Sequence, residues 1–539
     1  MSFTTSIAVN GPINPISNGN TLYVGGTGEG NYTTIKEAIK NATNGDTVYV
    51  HNGTYYENIK VKKSISLIGE NKNTTIIDGS NNGDVIFIET KLVNISGFTI
   101  QYSGENAIGI QLWYSYNNNI DNCIITNNYC GIYLVDSNHN SITSNTVISN
   151  SEHGIYLLSC INNTILNNHI ANNGGFGLYL WGSRTTTIQG NKIISNSLYN
   201  IWNRQSSVNQ LLDNEISNSE HGIMVDGGNN LEIFNNSIYL NSFGVRLRGS
   251  NNDIAYNNIS NNKNNGLDIW FSNNNKITSN DIISNRWNGI YHCSSKNNEI
   301  SNNNIVSNRW AGVALYFDSE KNRIIDNNFN SNNEQGLYID DCNENYIENN
   351  IFSNDGLFIM FPCQNFIVNN TVNDKPLLYL ERESNMVIDE DVGQVVLVNC
   401  RNIIIKNQVI TNTSIGIELC GTKNCIIMNN NLLNNSYGIF LSIASRNVII
   451  NNNIEFNKEY GIWLISSNIN RIVKNNIIEN EIDAYFMVWT VKNKWKKNYW
   501  NEELVSPKPI YGEIFMPVND IPWVNYDWNP AKEPYDIEI

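Results

Sequence analysis

"SNSEHGI" occupies Ser149–Ile155 and recurs, letter for letter, at Ser217–Ile223. Aligned on its glycine, a G-[ILV]-x-[LIV] signature runs through Gly109, Gly131, Gly154, Gly177, Asn200, Gly222, Gly244, Gly266, Gly289, Gly312, Gly336 and Gly356. It weakens at Pro376 and Gly393, then resumes at Gly416, Gly438, Gly461 and Asp483, a mean period of 22 residues. The twin heptapeptides are therefore equivalent corners of one repeating unit, three units apart. Residues after the glycine (Ile132, Ile155, Leu178, Ile201, Ile223) and two further on (Leu134, Leu157, Leu180, Val225, Leu247) are aliphatic, and those between are not. Alternation of period two marks a short strand. Upstream, "NCIITNN", "NTVISNS" and "NKIISNS" give a second short strand ending in Asn, and a weaker third follows. A unit of this kind cannot bury its apolar face alone, so units must stack. The expected fold is all-β: a single-stranded right-handed parallel β-helix of about 18 or more coils.

Composition agrees. Asn is roughly a fifth of the chain, far above ordinary usage, and suits corners because it tolerates left-handed backbone. Its amides can also bond from coil to coil as ladders; Asn127, Asn150, Asn173 and Asn196 are expected to share such a file. The net charge of −16 excludes a nucleic-acid partner, which would need a basic patch. No apolar run is long enough to span a membrane, and the first residues lack the pattern of a signal peptide. The nine cysteines include no C-x-x-C pair and read as small buried fillers. Two inward positions are polar, Asn203 and His292, and are expected to hold internal hydrogen-bond partners.

The ends of the stack need covers. Residues 1–20 read as a flexible segment and 21–100 as an N-terminal cap with the first coils. Within the cap, Thr34 and Glu37 have capping-box spacing ahead of an Ile35–Ala38–Ile39 stripe, predicting a helix. Coils occupy 101–490. Residues 491–539, with Trp495, Trp500, Trp523 and Trp528 and several prolines, read as an irregular C-terminal cap that folds aromatics over the last coil.

Over Thr21 to about Thr490, "YTTIKEAIKNATNGDTVYVHNGTYYENIKVKKSISLIGENKNTTIIDG" and the "NNxI…NxxGIYL" coils resemble pectin-lyase-like β-helix proteins of the NosD and CASH group. "NDKPLLYLERESNMVIDEDVGQVVLVNCRNIIIKN" resembles a segment of archaeal surface members. The resemblance implies the fold and a carbohydrate connection. Its activities range over lyases, hydrolases, epimerases, non-enzymes and an accessory role in copper-site assembly.

The residues themselves supply no complete catalytic set. His153 and His221 precede glycines but lack the accompanying polygalacturonase motifs, and read as exposed corner residues. The outward columns are richer. Tyr179, Trp181, Trp202, Arg204, Asp226, Arg246, Arg248, Asp268, Trp270 and Tyr291 form an aromatic and charged strip suited to stacking sugars and gripping hydroxyls or carboxylates. The competing reading is an ion-pair ladder, Arg204–Asp226–Arg248 and Arg246–Asp268. Asp226, Asp268 and Arg248 are weak catalytic candidates, since strand spacing puts the two acids roughly 11–12 Å apart, wide for a glycosidase pair. No metal site or cofactor is expected; calcium would need a carboxylate cluster the strip does not supply. "SNRWNGI" and "SNRWAGV" suggest an Arg–Trp stack from Arg286, Trp287, Arg309 and Trp310. The expected function is a secreted or cell-surface protein that binds polysaccharide or cell-envelope glycan, or builds an envelope layer, without catalysis. The alternatives are a polysaccharide lyase, hydrolase or epimerase, and a NosD-like accessory factor.

Overall fold

The computed structural model describes residues 19–501, 507–514 and 521–538. The expected flexible segment 1–20 therefore lies almost entirely outside the described residues. The chain is an all-β parallel solenoid of about 21 turns with one short helix near the N-terminus. It divides into two compact units, Met1–Lys263 and Asn264–Ile539.

In the first unit the helix spans Ile35–Asn41, with the Thr34 hydroxyl accepting from the Glu37 N–H at 3.2 Å and Ile35, Ala38 and Ile39 buried. Glu57 caps it further, its carboxylate taking the N–H groups of Ile35 and Lys36 at 2.7 and 3.0 Å. Each later coil contributes three short strands to three parallel sheets. One runs through Ile108–Trp113, Cys130–Val135, Ile155–Leu158, Leu178–Trp181, Tyr199–Arg204, His221–Asp226 and Phe243–Arg248, in register, so that Ile132 lies beside Ile155 and Ile155 beside Leu178. The inward aliphatics are fully buried, each removal from water being worth about 1.5–3 kcal/mol.

Asparagine ladders line the corners. Asn128, Asn150, Asn173 and Asn196 are joined amide to amide at 3.2, 3.0 and 2.9 Å. Asn127 is not in that file: it is exposed and supplies the left-handed bend, at φ 55°. A second ladder links Asn145, Asn168, Asn191, Asn214, Asn236 and Asn257. The repeating glycines serve a different purpose from the one the corner suggests. Gly154 and Gly222 do not have left-handed backbone; a Cβ on either would sit 2.6 Å from the carbonyl oxygen of the equivalent glycine one coil on, Gly177 or Gly244. Close packing of coils, not the dihedral, excludes a side chain.

The second unit holds two stacks. In the first, one sheet ends with the strand Leu357–Ile359 and the other two with Phe366–Val368 and Thr371–Val372. The weak repeat at Pro376 is a reversal of the chain: Thr371–Val372 pairs antiparallel with the start of Lys375–Glu381. Lys375–Glu381 then begins a second parallel stack through Gln394–Val398, Ile415–Cys420, Tyr437–Ser442, Tyr460–Ile465 and Ile482–Met487. Leu357–Ile359 meets this stack through side chains rather than a backbone ladder. The Gln394 amide accepts the Leu357 N–H at 2.9 Å and donates to its carbonyl at 2.6 Å. The Glu418 carboxyl accepts the Ile359 N–H at 2.9 Å, and the Cys420 thiol donates to the Ile359 carbonyl at 3.1 Å.

The C-terminal cap is more regular than expected. Lys508–Ile514 and Ile521–Asp527 form an antiparallel hairpin. Trp495 and Trp500 are buried in the core of the second stack, whereas Trp523 and Trp528 are exposed. Asp527 ends a ladder, accepting from the N–H and amide of Asn498 and the indole of Trp500. Both inward polar residues are satisfied. Asn203 donates to the Ser206 carbonyl and accepts from Asn209. His292 bonds Ser319 through Nδ1 at 3.0 Å and Asn298 through Nε2 at 2.9 Å, and burial holds its imidazole neutral, down to about 3. All nine cysteines are free and buried.

Candidate functional site

Strand register places seven of the ten strip residues on one outward face of the first unit. Tyr179 and Trp181 stand beside Trp202 and Arg204, which stand beside Met224 and Asp226, which stand beside Arg246 and Arg248. Identical spacing from coil to coil lets the rings stack. Tyr133, Tyr156, Tyr179 and Trp202 form one file with centroids 4.6, 4.6 and 4.7 Å apart and planes within 16°. The expectation of flat faces open to sugars is therefore only partly met: Tyr156 and Tyr179 have a ring on both sides and turn their edges outward. Burial raises the phenol pKa values of Tyr133 and Tyr156, so both remain hydrogen-bond donors at neutral pH.

Arg204 closes the file. Its guanidinium lies 4.9 Å from the Trp181 ring and 5.2 Å from Trp202, and it donates to the Tyr179 hydroxyl at 3.5 Å. Trp181 is 38% exposed, and Trp113, three coils earlier in the same column, is 41% exposed. The Arg204–Asp226–Arg248 part of the ion-pair ladder does not form. Asp226 lies between Arg204 and Arg248 in register, yet among the described residues it makes no ion pair with either. Asp226 is half-buried and Arg248 exposed.

A second aromatic file lies alongside, one residue before each glycine. His153, Phe176, Tyr199, His221 and Phe243 follow one another at 4.9, 5.3, 4.5 and 5.1 Å. It interlocks with the first: Phe176 is 5.2 Å from Tyr179 and 4.8 Å from Trp202, and Tyr199 is 5.8 Å from Trp202. The two histidines are thus not exposed corners. His153 is half-buried and accepts the Phe176 N–H through Nδ1 at 3.2 Å. His221 is 3% exposed. The signal is in the sequence, as an aromatic column three positions upstream of the Tyr156–Tyr179–Trp202 column.

Asp268, Trp270 and Tyr291 lie in the second unit. Asp268 is buried, accepting from the Asn265 amide at 3.1 Å, and is no displayed acid. Trp270 stacks at 5.3 Å on Tyr291, which continues to Tyr316 and Tyr338 at 5.2 and 5.4 Å. Trp287 and Trp310 meet edge to face at 6.5 Å, and among the described residues neither Arg286 nor Arg309 stacks on them. Among the described residues no group of three or more His, Cys, Asp or Glu side chains could hold a metal ion.

Solved structures with a similar chain path include the periplasmic alginate epimerase AlgG, at 15% identity and TM-score 0.38 over 63% of this chain and 84% of that one. The A-module of the mannuronan C-5 epimerase AlgE4 of Azotobacter vinelandii is 15% identical, with TM-score 0.35 over 65% of this chain and 99% of the module. An alginate lyase from Paenibacillus sp. is 12% identical, with TM-score 0.35 over 48% of this chain and 94% of that one. Likenesses this weak carry nothing about activity. No curated protein matches the sequence. The family described as periplasmic copper-binding protein (NosD) matches residues 39–220. The family described as right handed beta helix region matches residues 176–329 and 313–478, more than half of the chain. The chain is therefore a member of the right-handed β-helix family.

Proposed function

We propose that the outward face of the first unit binds a polysaccharide, and that the protein does so outside the cell or at its surface, without catalysis. The observation that supports this most is the unspent charge. Asp226 and Arg248 stand on neighbouring strands, beside the Arg204–Trp181 stack, and do not pair with each other. Coils spaced about 4.8 Å apart set these groups along a line, which suits an extended chain of hydroxyl-bearing units. The aromatic files supply rigidity and a row of phenol donors, while Trp181 offers a ring for a sugar to lie against.

The reading is tested with a panel of neutral and acidic polysaccharides, following both binding and the absorbance of unsaturated product. Binding without product is expected, and Trp181→Ala and Arg248→Ala should each weaken it by about tenfold, the worth of one charge-assisted contact. Binding unchanged in both variants would refute the face. Product formation would refute the non-catalytic role in favour of a lyase. The match at residues 39–220 favours a second reading, an accessory role in assembling a copper site. Copper carried by the purified protein in stoichiometric amount would decide for it.

A further inference from the structure

His221 is an unusual place for a basic group. Its ring lies between Tyr199 at 4.5 Å and Phe243 at 5.1 Å, and the Arg246 guanidinium covers Phe243 at 4.3 Å. The side chain is 3% exposed and Nδ1 has no hydrogen-bond partner. Two arginines are among its charged neighbours. From the following strand Arg246 and Arg248 face the imidazole. From the preceding strand come Tyr199 and Arg204, and from its own strand Asp226, which acts on Tyr199 rather than pairing with His221. Among the described residues the carboxylate in ion-pair range of the ring is that of Glu220, 3.9 Å from Nε2 and 53% exposed, so water screens it. Neutral imidazole fits here as an aromatic disc; imidazolium would put a charge into a buried aromatic stack beside two arginines.

We propose that His221 makes the outward face of the first unit releasable by acid: the neutral ring completes the second aromatic file, and its protonation expels it, loosening Tyr199 and the Trp202 packed against it. Ligand release rests on the polysaccharide reading; the ring movement does not. Burial, with Arg246 and Arg248, pushes the proton affinity of His221 down to about 4. Because the folded-state value is depressed, the closed file is present at neutral pH and is lost as pH falls through that region. One unit below the midpoint about a tenth of the chains keep the neutral ring, so the apparent Kd rises about tenfold.

The experiment titrates the full chain from pH 7 to 3 by tryptophan emission and near-UV dichroism, with histidine C–H resonances followed by NMR. A step near pH 4 that coincides with the His221 resonance is expected. His221→Phe keeps a ring without a proton site and should abolish the step, whereas His153→Phe should retain it; His221→Gln serves if the Phe variant does not fold. No step in the wild type, or a step that survives in His221→Phe, overturns the proposal. Polysaccharide binding measured at pH 7 and pH 3 separates the two readings. Binding at neither pH refutes the polysaccharide face and leaves the optical step to judge His221. Equal binding at both pH values, with the step present, refutes the link between file and face.

Discussion

Replacing Asn191 by Ala probes the ladders directly. Asn191 is buried, and its Oδ1 accepts both the backbone N–H and the side-chain amide of Asn168, at 2.8 and 3.0 Å. Its own amide donates to the carbonyls of Ile165 and Gln189 and to Asn214, at 2.9, 3.1 and 3.0 Å. Alanine leaves the Asn168 N–H with no acceptor, a desolvation cost of about 1–3 kcal/mol, and removes the bonds to two carbonyls at about 0.5–1.5 kcal/mol each. Shared acceptors make these less than additive, so the expected loss is about 2–4 kcal/mol. The adjacent Lys192→Ala is the control. Its ion pair with Glu215, at 3.1 Å and largely exposed, should be worth about 0–1 kcal/mol. Equilibrium urea unfolding gives the difference. Amide exchange locates it, since a stack of nearest-neighbour units should open first around residues 165–214. A loss no greater than that of Lys192→Ala, or exchange quickened evenly along the chain, would show that the ladders follow the fold rather than hold it.

Two other substitutions test other parts of the architecture. Asp355 ends an Asn ladder, accepting twice from Asn332, while its second oxygen is buried without a partner; burial raises its pKa to about 8. The folded chain therefore holds a proton that the unfolded chain releases, and stability falls as pH rises from about 4 to about 8. Asp355→Asn should remove that slope, stabilising the protein on the order of a few kcal/mol at pH 8 and little at pH 4; unfolding curves at both pH values check it. Gly154→Ala should cost about 1–3 kcal/mol, because the added methyl meets the Gly177 carbonyl at 2.6 Å and the coils must part. Thermal unfolding should show the loss, and an unchanged midpoint would contradict the packing argument.

The repeat was legible because solenoid physics writes itself into period: aliphatics at two fixed offsets from Gly154 and its equivalents fix inside and outside, and Thr34 with Glu37 announce the helix. What the period cannot convey is orientation within a column. It aligns Tyr156 and Tyr179 but does not say that their rings turn to face one another and so withdraw their faces from solvent. Nor does it distinguish Asn127 from Asn128, since both types of corner position favour Asn. It misplaces Asp268, which alternation points outward and which packing nonetheless buries. The reversal near residues 371–376 is marked only by a fading of the pattern, because a chain that changes direction still needs aliphatics on both sides of the turn. The second aromatic file is masked for a simpler reason: histidine reads as a chemical group, whereas the part of His153 and His221 in the column is to be flat.

The join at Leu357–Ile359 has a consequence for how such a chain can vary. Gln394 presents an amide, and Glu418 an acceptor, where a neighbouring strand would present peptide groups. Recognition at this point is thus vested in a few side chains of particular coils instead of in a continuous hydrogen-bond register. Whole 22-residue windings could be gained or lost farther along either stack without re-cutting the seam, whereas exchange of Gln394 or Glu418 for apolar residues would erase it with every winding intact.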